Sequence, residues 1–215
     1  MRRSTLVVVL VLLVCWLASA AHAGRFFATP YAGTLPEGKY SIWHFNVYEE
    51  RASQDWRFLN RVDVGLHEGT ELSILTNNPP GAGKTTTWIN AQHRLLEERD
   101  DRPEVSIGVW DMAGRASWFI AAGKNFKDPV DHVNNIKIGL NCGTERLNGL
   151  GGGADFRIGD DWGVMTEYMP TSMRPPGTDS MNYGAYYWVN PRLRVRASSM
   201  GGNPMLDFVW TDFIK

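Results

Sequence analysis

Apolar and polar residues alternate with a period of two through most of the chain. In the stretch 191–200, three arginines alternate with Leu193, Val195 and Ala197. This period is typical of a β-strand, whose successive side chains point to opposite faces. One face of this strand is therefore cationic and the other aliphatic. Either the aliphatic face meets a protein core and the arginines meet water, or the aliphatic face meets lipid and the arginines line a wet lumen.

The same alternation recurs in about a dozen segments, and no amphipathic helix of normal length interrupts them. Short turns such as 65–69 and 159–161 alternate with longer loops such as 77–85 and 170–178. Regularly spaced strands with turn residues between them are typical of a β-sandwich or a β-barrel. The alternation of short and long connections is the one expected of periplasmic turns and extracellular loops.

Polar residues of both charge signs recur on one face of these strands. The opposite faces are aliphatic or aromatic, often with aromatic residues towards strand ends, as at Trp43, Trp118, Trp162 and Tyr168. This is the pattern of a transmembrane barrel with lipid outside and a polar lumen. The residues predicted to line that lumen are Arg61, Asp63, Glu71, Asn90, Gln92, Arg94, Lys137, Glu167, Arg192, Arg194, Arg196 and Asp207.

The first 23 residues have the composition of a secretory signal peptide. Arg2 and Arg3 form a basic region, an apolar run follows, and Ala21-His-Ala23 offers a cleavage site. We therefore predict a signal peptide at 1–23, with Cys15 removed alongside it. The single remaining domain, 24–215, is predicted to be all-β: an antiparallel up-and-down transmembrane β-barrel of about 12 strands.

Charge and cysteine content narrow the possible functions. Without Arg2 and Arg3, the chain has 20 basic and 23 acidic residues, which is not the charge balance of a nucleic-acid-binding protein. Only Cys142 remains after cleavage, so an intramolecular disulfide is excluded. A lone cysteine in a strand is more often a small buried apolar side chain than a reactive thiol.

Several motifs occur along the chain: Thr-Pro-Tyr-Ala (29–32), Arg-Val-Asp-Val-Gly-Leu (61–66), Glu-Leu-Ser-Ile (71–74), Ala-Gln-His-Arg-Leu (91–95), Arg-Pro-Glu-Val-Ser-Ile-Gly-Val (102–109), Ile-Ala-Ala-Gly-Lys-Asn (120–125), Leu-Gly-Gly-Gly-Ala (150–154) and Glu-Tyr (167–168). Together these motifs resemble the YjbH-like outer-membrane β-barrels of bacteria. The resemblance implies an outer-membrane location and a link to exopolysaccharide.

Two motifs suggest chemistry that the surrounding sequence does not support. The Gly-Lys-Thr of 83–85 resembles a phosphate-binding loop, but Asn78 occupies the position of the first required glycine and a strand follows instead of a helix. Histidines and cysteines are scattered singly, without the spacing of metal ligands. Paired acids such as Glu97 and Glu98 point to opposite faces of a strand. We therefore predict no enzyme activity, no metal and no nucleotide or other cofactor.

The predicted function is a passive pore, or a structural or export component, of the Gram-negative outer membrane. Its expected partners are outer-membrane lipid and a polysaccharide or small anionic solute. The sequence leaves a second possibility open: a soluble periplasmic β-sandwich or lipocalin-like module that binds a carbohydrate or lipid.

Overall fold

Twelve strands form a single closed sheet. The structure, a computed structural model, describes residues 27–50, 53–81, 83–173 and 178–212. The predicted signal peptide at 1–23 and its cleavage site lie outside these residues. The strands are β1 (Tyr40–Tyr48), β2 (Trp56–His67), β3 (Thr70–Asn78), β4 (Thr86–Leu96), β5 (Glu104–Trp110), β6 (Ser117–Val130), β7 (Val133–Gly143), β8 (Gly149–Ile158), β9 (Trp162–Tyr168), β10 (Met181–Asn190), β11 (Leu193–Met200) and β12 (Asn203–Thr211).

Each strand pairs antiparallel with its neighbours in the chain, and β1 pairs with β12 to close the barrel. This up-and-down topology confirms the predicted fold class. A closed sheet also excludes the two-sheet sandwich. Among the described residues, no helix has both the length and the apolar composition needed to cross a bilayer.

The two ends of the barrel differ in the length of most of their connections. At one end, which we call the turn end, β2 joins β3 through 68–69, β6 joins β7 through 131–132, and β10 joins β11 through 191–192, while 97–103 between β4 and β5 is longer. At the other, the loop end, the connections include 49–55 and 169–180, while 201–202 between β11 and β12 is short. Strands β1 and β12 begin and finish, respectively, at the turn end.

Apolar side chains cover the outside of the barrel. Ile42, Ile120, Leu140 and Val164 are each more than 40% exposed, as are Ile74 and Ile107 in the middle of β3 and β5. Most of the exposed aromatic residues lie nearer the ends and form two groups. At the loop end they are Trp56, Trp118, Tyr168 and Tyr183, and at the turn end they are Tyr40, Trp162, Tyr187 and Trp210.

Strand β1 departs from the expected orientation, because its aromatic side faces inward. Trp43 was predicted to lie among the outer aromatics, but it is 4% exposed and packs with Phe45 and Val47 inside the barrel. The polar residues His44 and Asn46 take the outer positions of β1. The reason is the pairing of Trp43 with Arg61 across β1 and β2, since directly paired residues share a face.

Residues 27–36, which we call the inner segment, run through the lumen. Phe27, Tyr31 and Leu35 are buried there against inward-facing side chains of the strands. The segment begins near Glu167, at the loop end of β9, and finishes near Gly65, at the turn end of β2. Side chains alone fill the interior of a barrel of about eight strands. A twelve-stranded barrel is wider, and here the inner segment helps to fill it.

Candidate functional site: the barrel lumen

Most of the residues predicted to line the lumen have buried side chains on the inward face of a strand. Their burial follows from the alternation along each strand, since the residues between them point outward. The ten buried residues are Arg61, Asp63, Glu71, Asn90, Gln92, Lys137, Glu167, Arg194, Arg196 and Asp207.

Two of the twelve predicted residues are placed differently. Arg192 was predicted to continue the strand, but it lies exposed in the turn before β11. The cause is Asn190, whose side-chain oxygen accepts hydrogen bonds from the main-chain N–H groups of Arg192 and Leu193 and so closes the turn. Arg94 lies near the turn end with its side chain 30% exposed, 3.7 Å from the carboxylate of Glu104.

Arg61 lies in a network of hydrogen bonds and ion pairs formed by β1, β2 and β3. Its Nε lies 2.5 Å from Oδ1 of Asp63, and its Nη2 lies 3.6 Å from Oε1 of Glu71. The hydroxyls of Ser41 and Ser73 donate to Asp63 at 2.9 and 2.6 Å. Four inward-facing residues on three adjacent strands thus compensate the buried guanidinium, directly or through Asp63, as buried charges require.

Arg196 and Arg194 lie two residues apart on β11 but have different surroundings. Arg196 forms an ion pair with Asp207 on the paired strand β12, with 2.5 Å between Nε and Oδ2. Its guanidinium also lies 4.0 Å from the ring of Phe27 in the inner segment.

Arg194 is surrounded by aromatic rings. Its guanidinium lies 5.3 Å from the ring centre of Trp43, 4.9 Å from that of Tyr186 and 5.8 Å from that of Trp188. Among the described residues, no carboxylate lies within ion-pair distance of Arg194, and its Nε has no hydrogen-bond partner. The negative faces of the rings supply the favourable electrostatics.

Glu167 binds the start of the inner segment. Its Oε1 accepts hydrogen bonds from the N–H and the hydroxyl of Thr29 at 2.5 and 2.6 Å. The N–H groups of Phe27 and Ala28 also point to this carboxylate, at 3.4 and 3.0 Å. Asn182 on β10 donates to the second carboxylate oxygen and holds it in place. A carboxylate that accepts several N–H groups is compensated without an ion pair.

Amide and carboxylate side chains bind the rest of the inner segment. Nε2 of Gln92 lies 2.7, 3.0 and 3.2 Å from the carbonyl oxygens of Tyr31, Ala32 and Gly33. Asn141 donates to the carbonyl of Pro30 at 2.9 Å. Glu71 accepts from the N–H of Leu35 at 3.0 Å. The barrel wall thus contacts the main chain of this segment along most of its length.

Glycines allow the wall to approach the inner segment closely. A Cβ added at Gly123 would lie 2.5 Å from the ring of Tyr31, and one at Gly65 would lie 2.0 Å from the carbonyl oxygen of Pro36. Tyr31 is held from another side by Lys137, whose Nζ lies 3.7 Å from the ring centre. The inner segment is therefore packed against the wall, with no room for side chains at these two glycines.

Acidic residues outnumber basic ones among the buried charged side chains that the structure describes. The basic residues are Arg61, Lys137, Arg194 and Arg196, and the acidic ones are Asp63, Glu71, Glu104, Asp111, Asp155, Glu167 and Asp207. A lumen that selects anions would need an excess of basic groups. The arginines are instead compensated by carboxylates, rings and hydroxyls, and inward-facing side chains and the inner segment occupy part of the interior of the described barrel.

Sequence patterns missed several residues of this site. Glu104 and Asp155 face inward, and the hydroxyl of Tyr186 donates to Asp155 at 2.8 Å. The period-two pattern of β5 and β8 could have identified both acids. The role of the inner segment could not be identified in this way, because an irregular segment has no periodicity to indicate which surface it contacts.

The motifs that suggested chemistry are found outside the lumen. The segment between β3 and β4, which contains Gly83 and Lys84, joins two strands and leads into no helix. Within the described ranges, no three histidine, cysteine, aspartate or glutamate side chains form a cluster that could hold a metal ion. Cys142 was expected to be buried, but it is exposed on the outer face, because its neighbour Asn141 takes the inward position and binds Pro30.

The comparisons with known proteins give a distant structural similarity. The structure is similar to a mutant of the Rh. blastica porin, with 13% sequence identity and a TM-score of 0.36, over 72% of this chain and 55% of the porin. A second mutant of that porin has 8% identity and a TM-score of 0.33, over 80% of this chain and 98% of the porin. The chain thus spans about half the length of the first porin. No protein-family profile and no curated protein matches the sequence.

Proposed function

We propose that this protein is an integral β-barrel of the bacterial outer membrane, in which residues 27–36 close the lumen. The observation that supports this proposal most strongly is the reversed distribution of polarity. Charged residues such as Asp63 and Arg196 are fully buried inside, whereas large apolar residues such as Ile120 and Leu140 are exposed outside. A soluble protein rarely exposes so continuous an apolar surface, whereas a lipid-embedded barrel requires one.

The strands and the outer aromatic residues support an orientation in the membrane. The strands contain 7 to 14 residues, a range that includes the roughly 9–11 needed for a tilted strand to cross a bilayer. The aromatic groups at both ends of the barrel lie where interfacial girdles form. In this proposal the turn end, most of whose connections are short, lies in the periplasm, and the longer loops face outward. The predicted signal peptide agrees with export of the chain.

The lumen favours a structural or export role over that of a permanently open pore. Mixed charges and the inner segment fill the interior, so steady diffusion of solutes would require rearrangement. We also propose, from the family resemblance, that the barrel serves the export of an exopolysaccharide. The test is to delete the gene and measure secreted polysaccharide. We expect the amount to fall and the full-length protein to restore it.

The membrane assignment is tested by fractionation combined with a heat-shift gel. We expect the mature protein in the outer-membrane fraction, with a folded band that changes mobility after boiling. Recovery of folded protein in the soluble periplasmic extract would contradict the proposal. The closed lumen is tested separately in planar bilayers, where the full-length barrel should give no steady conductance; stable open channels at rest would contradict closure while leaving the membrane assignment intact.

The lipocalin-like alternative requires the opposite distribution of residues. A soluble barrel that binds an apolar ligand has an apolar interior and a polar exterior. Here Arg61, Asp63 and Glu167 are buried, and the outer surface is apolar. No feature of the described residues favours this second function.

A further inference from the structure

Most hydrogen bonds between the inner segment and the wall are made by the segment's main chain, while its side chains Phe27, Tyr31 and Leu35 pack against the wall. Eight main-chain groups of residues 27–36 lie within hydrogen-bond distance of side chains of the wall. They are the N–H groups of Phe27, Ala28, Thr29 and Leu35 and the carbonyls of Pro30, Tyr31, Ala32 and Gly33. Carboxylates accept the N–H groups, and amide groups donate to the carbonyls.

Main-chain groups are common to all polypeptides, so these hydrogen bonds select for the path of the chain more than for its sequence. That path is bent, because three successive N–H groups face Glu167 and three successive carbonyls face Gln92. Size is selected at Ala32, which is fully buried, while Gly123 leaves room for the ring of Tyr31. The site therefore fits a bent chain with a small residue at position 32 and a ring at position 31.

The inner segment is joined to the barrel through a short exposed connection. Residues 36–38 are exposed, and Gly38 has a positive φ of 72°. The N–H of Gly38 bonds to the carbonyl of Gly65, and the chain then enters β1 at Tyr40. Release of residues 27–36 therefore requires no break in the twelve-stranded sheet, because none of these residues belongs to a strand.

We infer that the lumen is a polypeptide-binding site, and that residues 27–36 occupy it but can be exchanged for another chain. The partner it fits is a peptide segment that follows the same bent path, with aromatic side chains at the positions of Phe27 and Tyr31 and a small residue at that of Ala32. This inference rests on the proposed function in that it requires a folded barrel with a closed lumen. It adds that the occupant can be replaced by another polypeptide without unfolding the barrel.

Two cysteine variants of the full mature chain, folded in detergent and carrying Cys142→Ala, test the inference. Thr34→Cys places a thiol on the inner segment, where Thr34 is 3% exposed and its hydroxyl has no hydrogen-bond partner among the described residues. Ser106→Cys places a thiol on the wall beneath it, since Ser106 contacts Gln92 at 3.0 Å. Both substitutions nearly conserve volume. Should either fail to fold, Ala32→Cys and Ala121→Cys provide the same comparison, since both alanines belong to one buried cluster.

The probe is a synthetic peptide with the sequence of residues 27–36, added in excess during labelling with a charged thiol reagent. Without peptide, both thiols should label faster than the folded band is lost on a heat-shift gel. With peptide, the wall thiol at 106 should become protected, while the displaced thiol at 34 should still label. The same peptide methylated on the nitrogens of positions 28 and 29 loses its N–H groups for Glu167 and should protect at least about tenfold less well.

Three results would overturn the inference. Labelling of either thiol only at the rate of unfolding would show that the segment is a fixed part of the core. Absence of protection by the peptide would show that the site does not accept a second chain. Equal protection by the native and methylated peptides would show that the site does not recognise the main-chain N–H groups of the bound peptide. A protein with no heat-shifted band at all would instead contradict the proposed barrel function, so the two failures are distinguishable.

Discussion

Trp43 separates two regions of the lumen that stabilise a buried arginine in different ways. Its ring centre lies 5.5 Å from the guanidinium of Arg61 and 5.3 Å from that of Arg194. On the Arg61 side, two carboxylates and the hydroxyls that bind Asp63 form a bonded network. On the Arg194 side, two further aromatic rings replace the carboxylates.

The difference shows where each region is sensitive to substitution. In the Arg61 region, each charge depends on an opposite charge, so removing one leaves the other buried and uncompensated. In the Arg194 region, the aromatic rings are neutral, and Asp155, the acid on which Arg194 acts, also accepts a hydrogen bond from Tyr186. We therefore expect the loss of Arg194 to cost less stability than the loss of a carboxylate paired with Arg61.

The largest effect is expected from Asp63→Ala. This substitution leaves Arg61 without its closest ion-pair partner and removes the acceptor of two hydroxyls. Breaking a buried pair costs roughly 3–5 kcal/mol. The measurement is the free energy of unfolding in urea, with the folded fraction read from a heat-shift gel. Asp55→Ala, in the exposed loop between β1 and β2, is the matched control and should change stability little; equal losses for both would refute the network.

A somewhat smaller loss is expected from Val195→Arg. Val195 lies between Arg194 and Arg196 but on the outer face, so a new guanidinium there finds neither carboxylates nor aromatic rings of the lumen. A cation on the lipid face costs about 2–4 kcal/mol near the midplane. Insertion into lipid vesicles measures the effect, with Val195→Ala as the size control. Normal insertion of the arginine variant would show that this face does not meet lipid.

Arg194→Met should cost less than Asp63→Ala, roughly 1–3 kcal/mol, because it breaks no contact ion pair. The buried acid that Arg194 helps to stabilise, Asp155, keeps its hydrogen bond from Tyr186. The free energy of unfolding is again the measurement, with Asp63→Ala in the same assay as the comparison. A loss as large as that of Asp63→Ala would show that Asp155 depends on Arg194 as strongly as Arg61 depends on Asp63, and that the two regions are alike.

The smallest effect is expected from Cys142→Ala, a substitution on the outer face that touches neither region. A surface change of this kind usually alters stability by about 0.5 kcal/mol or less. Its unfolding curve provides the reference for the other variants. The native thiol should react with a lipid-soluble maleimide in vesicles and remain protected from a charged one; rapid reaction with the charged reagent would place Cys142 in water.

The sequence predicted the barrel well, because period-two alternation depends only on which face of a strand is wet. It placed Asp63, Glu167 and Arg196 on inward positions for that reason. It failed at Trp43, where the type of side chain suggested the outer face. Only the pairing of β1 with β2 shows that Trp43 shares the face of Arg61. The register between two strands decides which residues pair, and the pattern of a single strand does not reveal that register.

The prediction for Arg192 failed for a local reason, since the side chain of Asn190 ends β10 and closes the turn earlier than the alternation suggests. The inner segment was missed for a different reason. Residues 27–36 have no alternation, and most of their hydrogen bonds to the wall are formed by their main chain, which every sequence shares. The residues that bind them, Gln92 and Asn141, have ordinary polar side chains in strands, and their sequence context gives no sign of the bound segment.

The pairing of β1 with β12 has a consequence for the order of assembly. These strands lie at opposite ends of the chain, so the seam between them forms only after every other strand has been made. Until it closes, the inward charges can remain in contact with water along the open edge. Closure of the seam then desolvates Arg196 and Asp207, already paired across β11 and β12, together with Ser41 and Asp63. We therefore expect the barrel to close in one late and cooperative step. The inner segment either lies in the lumen before this step or enters the closed barrel afterwards from one end.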